Sequence, residues 1–208
     1  MKKIALIDMD GTLVDYDGAF LRDLKRISKK EERDLIDSYK GNIWKMCSEN
    51  FLFERRRHMI TSQYGWWVNL KPLEENIDVV RLMHEMEFEI HICTQAPFSK
   101  SFSWMEKTEN IKKNLDIPVK MNIVTDKSLF YGAVLFDDYQ PFMEKWLEYR
   151  PRGLGILPKN EGNKDYSHPN AIHYDGSTSS FESVRDALNK VLERHENFNN
   201  IRYSSSNP

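Results

Sequence analysis

Six short apolar runs punctuate the chain at residues 4–7, 88–93, 119–124, 133–136, 153–157 and 171–174, each of strand length. Between most of them apolar side chains recur at helical spacing. Ile77, Val80, Met83 and Met86 come every third residue, and Phe181, Val184, Leu188, Val191, Leu192 and His195 share one helical face. Strands alternating with helices predict an α/β fold with a mostly parallel sheet.

The alternation breaks once. Residues 16–72 carry helix-like periodicity, opened by Phe20, Leu21, Leu24 and Ile27 and continued by Leu35, Ile36 and Tyr39. The same stretch holds nine aromatics: Tyr16, Phe20, Tyr39, Trp44, Phe51, Phe53, Tyr64, Trp66 and Trp67. It reads as a small helical cap inserted above the sheet, with residues 1–15 and 73–196 forming the core. Residues 158–170 are polar and turn-rich and predict a loop, and residues 197–208 are expected to form a flexible tail.

Charge narrows the partners. Thirty Lys and Arg stand against 32 Asp and Glu, a net charge of −2, so no strong field gathers nucleic acid or an acidic membrane. Apolar residues at 40% are enough for a real core in 208 residues, which excludes global disorder. Met1-Lys2-Lys3 precedes only four apolar residues before Asp8, fewer than the roughly 7–15 of a secretory signal, and no run approaches the ~18 of a membrane span. Cys47 and Cys93 allow at most one disulfide, and Cys93 lies in an apolar run, so both are expected reduced in a cytoplasmic protein. The six histidines show no zinc spacing, and there is no Gly-x-x-x-x-Gly-Lys phosphate loop.

The chemistry gathers at strand ends. The first apolar run enters Asp8-Met9-Asp10-Gly11-Thr12, two carboxylates one residue apart followed by a glycine suited to a sharp turn. Alone this is as well read as an ordinary acidic turn. Thr94 closes the second run, however, Lys127 follows the third, and Asp137 and Asp138 close the fourth. Individually these could cap a strand, sit on the surface or solvate a loop. In a parallel sheet all four runs deliver their ends to one edge, where open α/β sheets bind ligands. Hard oxygen ligands for Mg²⁺, a hydroxyl and one cation make an inventory suited to holding a phosphate.

In these residues the chain resembles the haloacid-dehalogenase superfamily of phosphohydrolases, whose four motifs match Asp8-Met9-Asp10-Gly11-Thr12, Ile92-Cys93-Thr94, Lys127 and Asp137-Asp138. Within it, the stretch from Asp8 to Tyr16, Thr94 with Pro97, Thr125-Asp126-Lys127 and Leu135-Phe136-Asp137-Asp138 look like the 5'(3')-deoxyribonucleotidases. Asn69-Leu70-Lys71-Pro72-Leu73 and Trp104-Met105-Glu106-Lys107 fit that family's cap exit and post-motif helix. The resemblance spans residues 3–138 and implies a Rossmann-like three-layer core with a helical cap.

It also implies roles. Asp8 would be the nucleophile that forms an aspartyl-phosphate, and Asp10 the acid for the leaving sugar oxygen and then the base for water. A second aspartate favours a phosphatase over the superfamily's dehalogenases, which lack it, and its ATPases, which usually carry Thr. Mg²⁺ would bind Asp8, the backbone carbonyl of Asp10, and Asp137 or Asp138. Lys127 and the Thr94 hydroxyl would hold the phosphate, with the neighbouring Gln95 a further substrate-binding residue beside it and Tyr16 and Trp44 stacking on a base. The chain departs from the family pattern at Asn42-Ile43, where an aromatic is usual, at Gln95-Ala96, in place of Ser, and at Tyr139, in place of Arg. Trp66 and Trp67 read as cap packing. Arg55-Arg56-Arg57 reads as a solvated helical face, with attraction of anionic substrate as its functional alternative.

The expected activity is Mg²⁺-dependent hydrolysis of deoxy- or ribonucleoside monophosphates to nucleoside and phosphate, by a homodimer if the analogy with related nucleotidases extends so far. A 3'-phosphatase for nucleic-acid ends, or a phosphatase for another small ester, keeps the chemistry and changes the substrate. A non-catalytic nucleotide-binding protein is a third reading, and the second aspartate opposes it.

Overall fold

Successive residues of a strand face opposite sides of a sheet, and the first strand shows this at once. Ala5 and Ile7 join one apolar cluster while Leu6 joins another across the sheet. The computed structural model describes the backbone of residues 3–204 and the side chains of residues 3–194. Its six strands are β1 (Ile4–Ile7), β2 (Glu89–Thr94), β3 (Lys120–Ile123), β4 (Val134–Phe136), β5 (Leu154–Pro158) and β6 (Ala171–Tyr174). They form one sheet in the order β3-β2-β1-β4-β5-β6, with every pairing parallel. The six apolar runs of the sequence mark these strands to within one or two residues, because both faces of a parallel sheet are covered and its strands stay continuously apolar.

Helices complete three layers. The α5 helix (Glu74–Glu85) buries Ile77, Val80 and Met83 against one face. Beside it, α8 (Thr178–Ser204) contributes Val184, Leu188 and Val191 to the same cluster. Opposite, α7 (Gln140–Tyr149) buries Met143, Trp146 and Leu147 with Leu135 and Leu157. Gly155 of β5 allows this approach, since a β-carbon there would run into the Met143 side chain. The α8 backbone stays helical through Ser204, past the expected start of the tail at 197; residues 205–208 lie outside the described residues, as does the His195 side chain.

Between β1 and α5 stand four helices: α1 (Tyr16–Arg26), α2 (Lys30–Ser38), α3 (Ile43–Glu49) and α4 (Phe51–Ile60). Side-chain caps set three of their starts. Asp15 accepts from the Gly18 amide at 2.8 Å, Asn42 from Lys45 at 2.9 Å, and Asn50 from Leu52 and Phe53 at 3.1 and 3.3 Å. Phe20, Leu24, Ile36, Ile43, Met46 and Phe53 are buried in the cluster that continues into the core. Entry and exit of this cap run side by side. Asp15 N–H donates to the Lys71 carbonyl and Leu73 N–H to the Leu13 carbonyl, both at 2.9 Å, and Val14 bridges Pro72.

Candidate active site

Parallel pairing brings the carboxyl ends of β1, β2, β3 and β4 to one edge, and each delivers a polar residue there. Asp8 follows β1, Thr94 ends β2, Lys127 opens a short 3-10 helix (Lys127–Leu129) after β3, and Asp137 and Asp138 follow β4. Asp8, Thr94, Lys127, Asp137 and Asp138 are all buried. At Gly11 the chain turns with φ +79°, and a β-carbon there would come within 2.6 Å of an Asp138 carboxylate oxygen. That position therefore favours glycine on two counts.

Lys127 is the charge centre of one half of the site. Its ammonium donates to Asp8 Oδ1 and to Asp137 Oδ2, the latter at 2.5 Å. Burial pulls this ammonium toward neutrality, but Asp137 and Asp8 outweigh it and hold the charge. Asp8, Asp137 and Asp138 each place a carboxylate oxygen within 4.8 Å of the others. Three carboxylates thus face one lysine in a desolvated pocket. Burial pushes Asp137 up to about 6 against the pull of Lys127. Asp138 is driven well upward by burial and then by repulsion from Asp8 and Asp137. A hard divalent cation fits this donor set, since it satisfies buried oxygens and removes that repulsion.

Asp138 is held from two further directions, one within the first motif and one outside the motifs. Thr12 donates its hydroxyl to Asp138 Oδ1 at 3.3 Å and accepts from the Asp138 amide at 3.1 Å. From the turn-rich loop after β5, Asn160 Nδ2 donates to Oδ2 at 3.1 Å, and Asn163 Nδ2 to the Asp138 carbonyl at 2.9 Å. The loop read from sequence as a connector therefore braces the acidic cluster.

Lys107 is the charge centre of the other half. It lies on α6 (Ser101–Asn114), is fully buried, and donates to Asp10 Oδ2, to Thr94 Oγ1 at 2.9 Å and to the Gln95 carbonyl at 2.6 Å. Its ammonium also sits 4.5 Å from the Trp67 ring centroid. The other oxygen of Asp10, Oδ1, is enclosed and accepts no hydrogen bond among the described residues. Burial raises the Asp10 pKa; Lys107 opposes the rise and Asp8 adds to it. Asp10 is thus a carboxyl with one anchored and one free oxygen, disposed to carry a proton.

In the sequence Lys107 is only part of the helix that follows Thr94, with nothing to mark a role of its own. Its neighbours carry the missed signal. Ser103, Glu106, Lys107 and Asn110 are all buried and lie at helical spacing, so α6 turns a polar stripe inward. Glu106 accepts from the Gly65 and Trp67 amides at 2.6 and 3.1 Å, and Asn110 donates to the Trp67, Val68 and Leu70 carbonyls. One helix face therefore ties the cap exit to the Asp10 carboxyl.

The remaining expected residues make their ring contacts and hydrogen bonds elsewhere than on the carboxylates. Tyr16 is buried, packed edge-on to Trp66 at 5.3 Å and stacked with Trp67 at 5.7 Å. Trp44 stays 45% exposed and meets Tyr139, the residue after the Asp pair, at 5.0 Å between ring centroids. The Gln95 side chain turns away to donate to the Thr125 carbonyl at 3.0 Å, leaving its backbone carbonyl as the part that touches the site. Trp66 and Trp67 pack the cap, their indole N–H groups bound to Asp23 and to the Thr61 carbonyl. Both cysteines are buried and free of disulfides.

A parallel sheet with paired aspartates at the end of its first strand and a cap inserted after it defines a haloacid-dehalogenase-like hydrolase. The fold agrees with a solved structure described as the HAD-hydrolase YfnB of Bacillus subtilis bound to magnesium, at TM-score 0.52 over 90% of this chain and 99% of that one, with 12% identity. More narrowly, residues 2–175 match the model of the family "5' nucleotidase, deoxy (Pyrimidine), cytosolic type C protein", and the chain belongs to that family of phosphoric monoester hydrolases. Among curated relatives, the human cytosolic-type 5'(3')-deoxyribonucleotidase is 25% identical over 141 residues, 64% of this chain and 69% of that one. The mouse mitochondrial 5'(3')-deoxyribonucleotidase is 25% identical over 149 residues, 64% of this chain and 63% of that one. The match thus spans about two-thirds of each relative, and the two occupy different compartments. No described helix is long and apolar enough to cross a membrane.

Proposed function

We propose that the protein hydrolyses deoxyribonucleoside monophosphates to nucleoside and phosphate through a phosphorylated Asp8. The observation that carries this reading is the division of the site into two lysine-centred halves. Asp8 is held by Lys127 among the acidic cluster, and Asp10 is held by Lys107 with one oxygen free. A nucleophile must be ionised and a general acid protonated, and two aspartates in different surroundings can meet both demands at one pH.

An Asp8 carboxylate oxygen attacks phosphorus, and the bond from phosphorus to the sugar oxygen breaks. The Asp10 proton passes to that oxygen, and the nucleoside leaves. Water then attacks the phosphorus of phospho-Asp8, giving its proton to Asp10, so phosphate departs and both carboxyls return to their starting forms. Lys127 and the Thr94 hydroxyl bind the phosphoryl oxygens as their charge redistributes. Asp8, Asp137 and Asp138, with the Asp10 backbone carbonyl, are the residues that would hold Mg²⁺, which screens the repulsion between anionic nucleophile and anionic ester when bound. Trp44, left half-exposed, supplies a cap ring for a base, whereas Tyr16, buried against Trp66 and Trp67, offers no open face. A cap over the site and a net charge of −2 favour a small ester over a polymer end.

The test is phosphate release with Mg²⁺ from deoxy- and ribonucleoside 5'- and 3'-monophosphates and from a 3'-phosphorylated oligonucleotide, with Asp8→Asn as the blank. Deoxymononucleotides are expected to be cleaved best, and Asp8→Asn is expected to fall to background while remaining folded. Cleavage of the oligonucleotide alone contradicts the substrate, and no turnover of any ester contradicts the enzyme.

A further inference from the structure

The tip of the cap comes down on two segments that flank the Asp138 carboxylate. Tyr139, the residue after it, donates its backbone N–H to Asp137 Oδ1 at 2.9 Å and so orients the other carboxylate of the pair. Its ring centroid lies 5.0 Å from that of Trp44 on α3 and 5.1 Å from that of Phe142 on α7, and the Lys127 ammonium sits 4.8 Å from the Phe142 centroid. One line of contacts therefore runs from the cap through Tyr139 to the lysine that Asp8 and Asp137 share. The second segment is the loop of residues 158–170. Its Asn160 and Asn163 hold Asp138, and a β-carbon at Gly162 between them would lie 3.9 Å from Nδ2 of Asn42, the residue that caps α3.

Trp44 is itself braced within the cap. Arg57 Cζ lies 5.7 Å from its ring centroid, and that guanidinium is fixed by both oxygens of Glu54 at 2.8 and 2.6 Å. On the loop side the seam is open, a polar cleft of about 450 Å³ lined by Lys40, Lys45 and Glu49 of the cap and by Glu161 and Lys164 of the loop. Trp44 on Tyr139 is thus the packed join beside that cleft. The join matters to the cluster because three buried carboxylates repel one another, and a turn that carries two of them spreads unless it is held. A turn already held needs no ordering when a cation arrives. By linkage, a cation that binds more tightly to the seated cap must seat the cap by the same factor.

We propose that Tyr139 is a positioning residue that couples the cap to the acidic cluster: with Trp44 packed on it, the Asp137–Asp138 turn is held ready for a divalent cation, and a cation in the cluster in turn holds α3 on the core. The assignment rests on the reading of Asp8, Asp137 and Asp138 as the metal site and extends that site to the cap.

The test uses MgCl₂ alone, without nucleotide, so that contacts of Trp44 with substrate do not enter. Calorimetric titration gives the Mg²⁺ dissociation constant of wild type, Trp44→Ala, Tyr139→Ala, Tyr139→Phe and the Trp44→Ala/Tyr139→Ala double variant. Amide hydrogen exchange reports on α3, Ile43–Glu49, with and without Mg²⁺. Each alanine variant should bind Mg²⁺ about 2- to 10-fold more weakly, the reach of one aromatic pair. The double variant should bind no more weakly than the weaker single one, because both remove the same contact. Tyr139→Phe keeps the ring and should bind as wild type does. Mg²⁺ should slow exchange in α3 of wild type and Tyr139→Phe and leave it unchanged in Tyr139→Ala. If Tyr139→Ala does not fold, Trp44→Ala, which truncates a ring already 45% exposed, carries the same comparison. Unchanged Mg²⁺ affinity in the alanine variants, additive losses in the double variant, or α3 exchange in wild type that ignores Mg²⁺ overturns the coupling while the metal site stands. A wild type that binds no Mg²⁺ overturns both.

Discussion

Asp10 meets two demands with one carboxyl. Its Oδ2 is fixed by Lys107, which orients the group, and its Oδ1, without a hydrogen-bond partner among the described residues, would be the oxygen to carry the proton in the proposed mechanism. Burial is the largest influence on its pKa and raises it, while Lys107 is the largest influence in the other direction. In the proposed mechanism the first half-reaction needs the protonated form. Its rate is therefore full below the raised pKa and is lost as pH rises through it. Lys107→Met removes the group that holds this pKa down, so the descending limb of the pH profile of kcat/KM should move to higher pH even as the overall rate falls. A limb that stays or moves to lower pH assigns it to another residue. Asp10→Asn should cost about 10²- to 10⁴-fold in kcat, the usual worth of a positioned acid.

At this scale the sequence was legible where position alone decides. Asp8, Thr94, Lys127, Asp137 and Asp138 come together because each directly ends or follows a strand, and parallel strands must end together. Lys107 was not legible in that way, because its nearness to Asp10 depends on how α6 docks, 97 residues away along the chain. Trp44 illustrates the same limit. Its residue type advertised stacking, but its pairing with Tyr139 follows from how the cap sits on the core.

Among the elements, α6 departs furthest from the apolar stripe that made α5 and α8 easy to read. Its buried face holds Ser103, Glu106, Lys107 and Asn110, together with Ile111. The polar face is satisfied by backbone rather than by apolar packing. Asn110 Nδ2 is shared among the carbonyls of Trp67, Val68 and Leu70 at 3.1, 3.1 and 2.9 Å. Asn110→Ala leaves buried carbonyls unpaired and should destabilise by about 2 kcal/mol, within the usual cost of an orphaned buried polar group. Denaturant unfolding measures this, and a change below about 0.5 kcal/mol would mean that water replaces the amide. Because these carbonyls belong to the cap exit, kcat should also fall, since the same helix face orients Asp10. The loop of residues 158–170 teaches the converse. Its turn-rich composition predicted irregular backbone, and composition gave no sign that Asn160 and Asn163 would brace Asp138.

For the whole molecule, a cation held by the acidic cluster would be coupled to folding. Asp8, Asp137 and Asp138 are buried with Lys127 as their shared counter-charge, so any ion that joins them binds the folded chain and not the unfolded one. Mg²⁺ at 100 times its dissociation constant should stabilise by about 2.7 kcal/mol, visible as a rise in Tm that a chelator reverses. Asp138→Asn removes one donor and one repelling charge. It should abolish most of that rise, and the metal-free variant should be no less stable than the metal-free wild type. A Tm that ignores Mg²⁺ in the wild type would contradict the assignment of this cluster as the metal site. The architecture was the most legible feature in the sequence, since strand runs and helix faces are local patterns. The closing of cap on core was not, because its contacts join residues far apart in the chain.

The most direct measurement is to mix the enzyme with a deoxyribonucleoside monophosphate carrying radiolabelled phosphate, quench in acid within a turnover, and map the label by peptide analysis. Label on the peptide containing Asp8, present in wild type, absent in Asp8→Asn and accumulating when water attack is slowed, is the result predicted. Turnover of the nucleotide with no label on the protein, or label that survives Asp8→Asn, would contradict it.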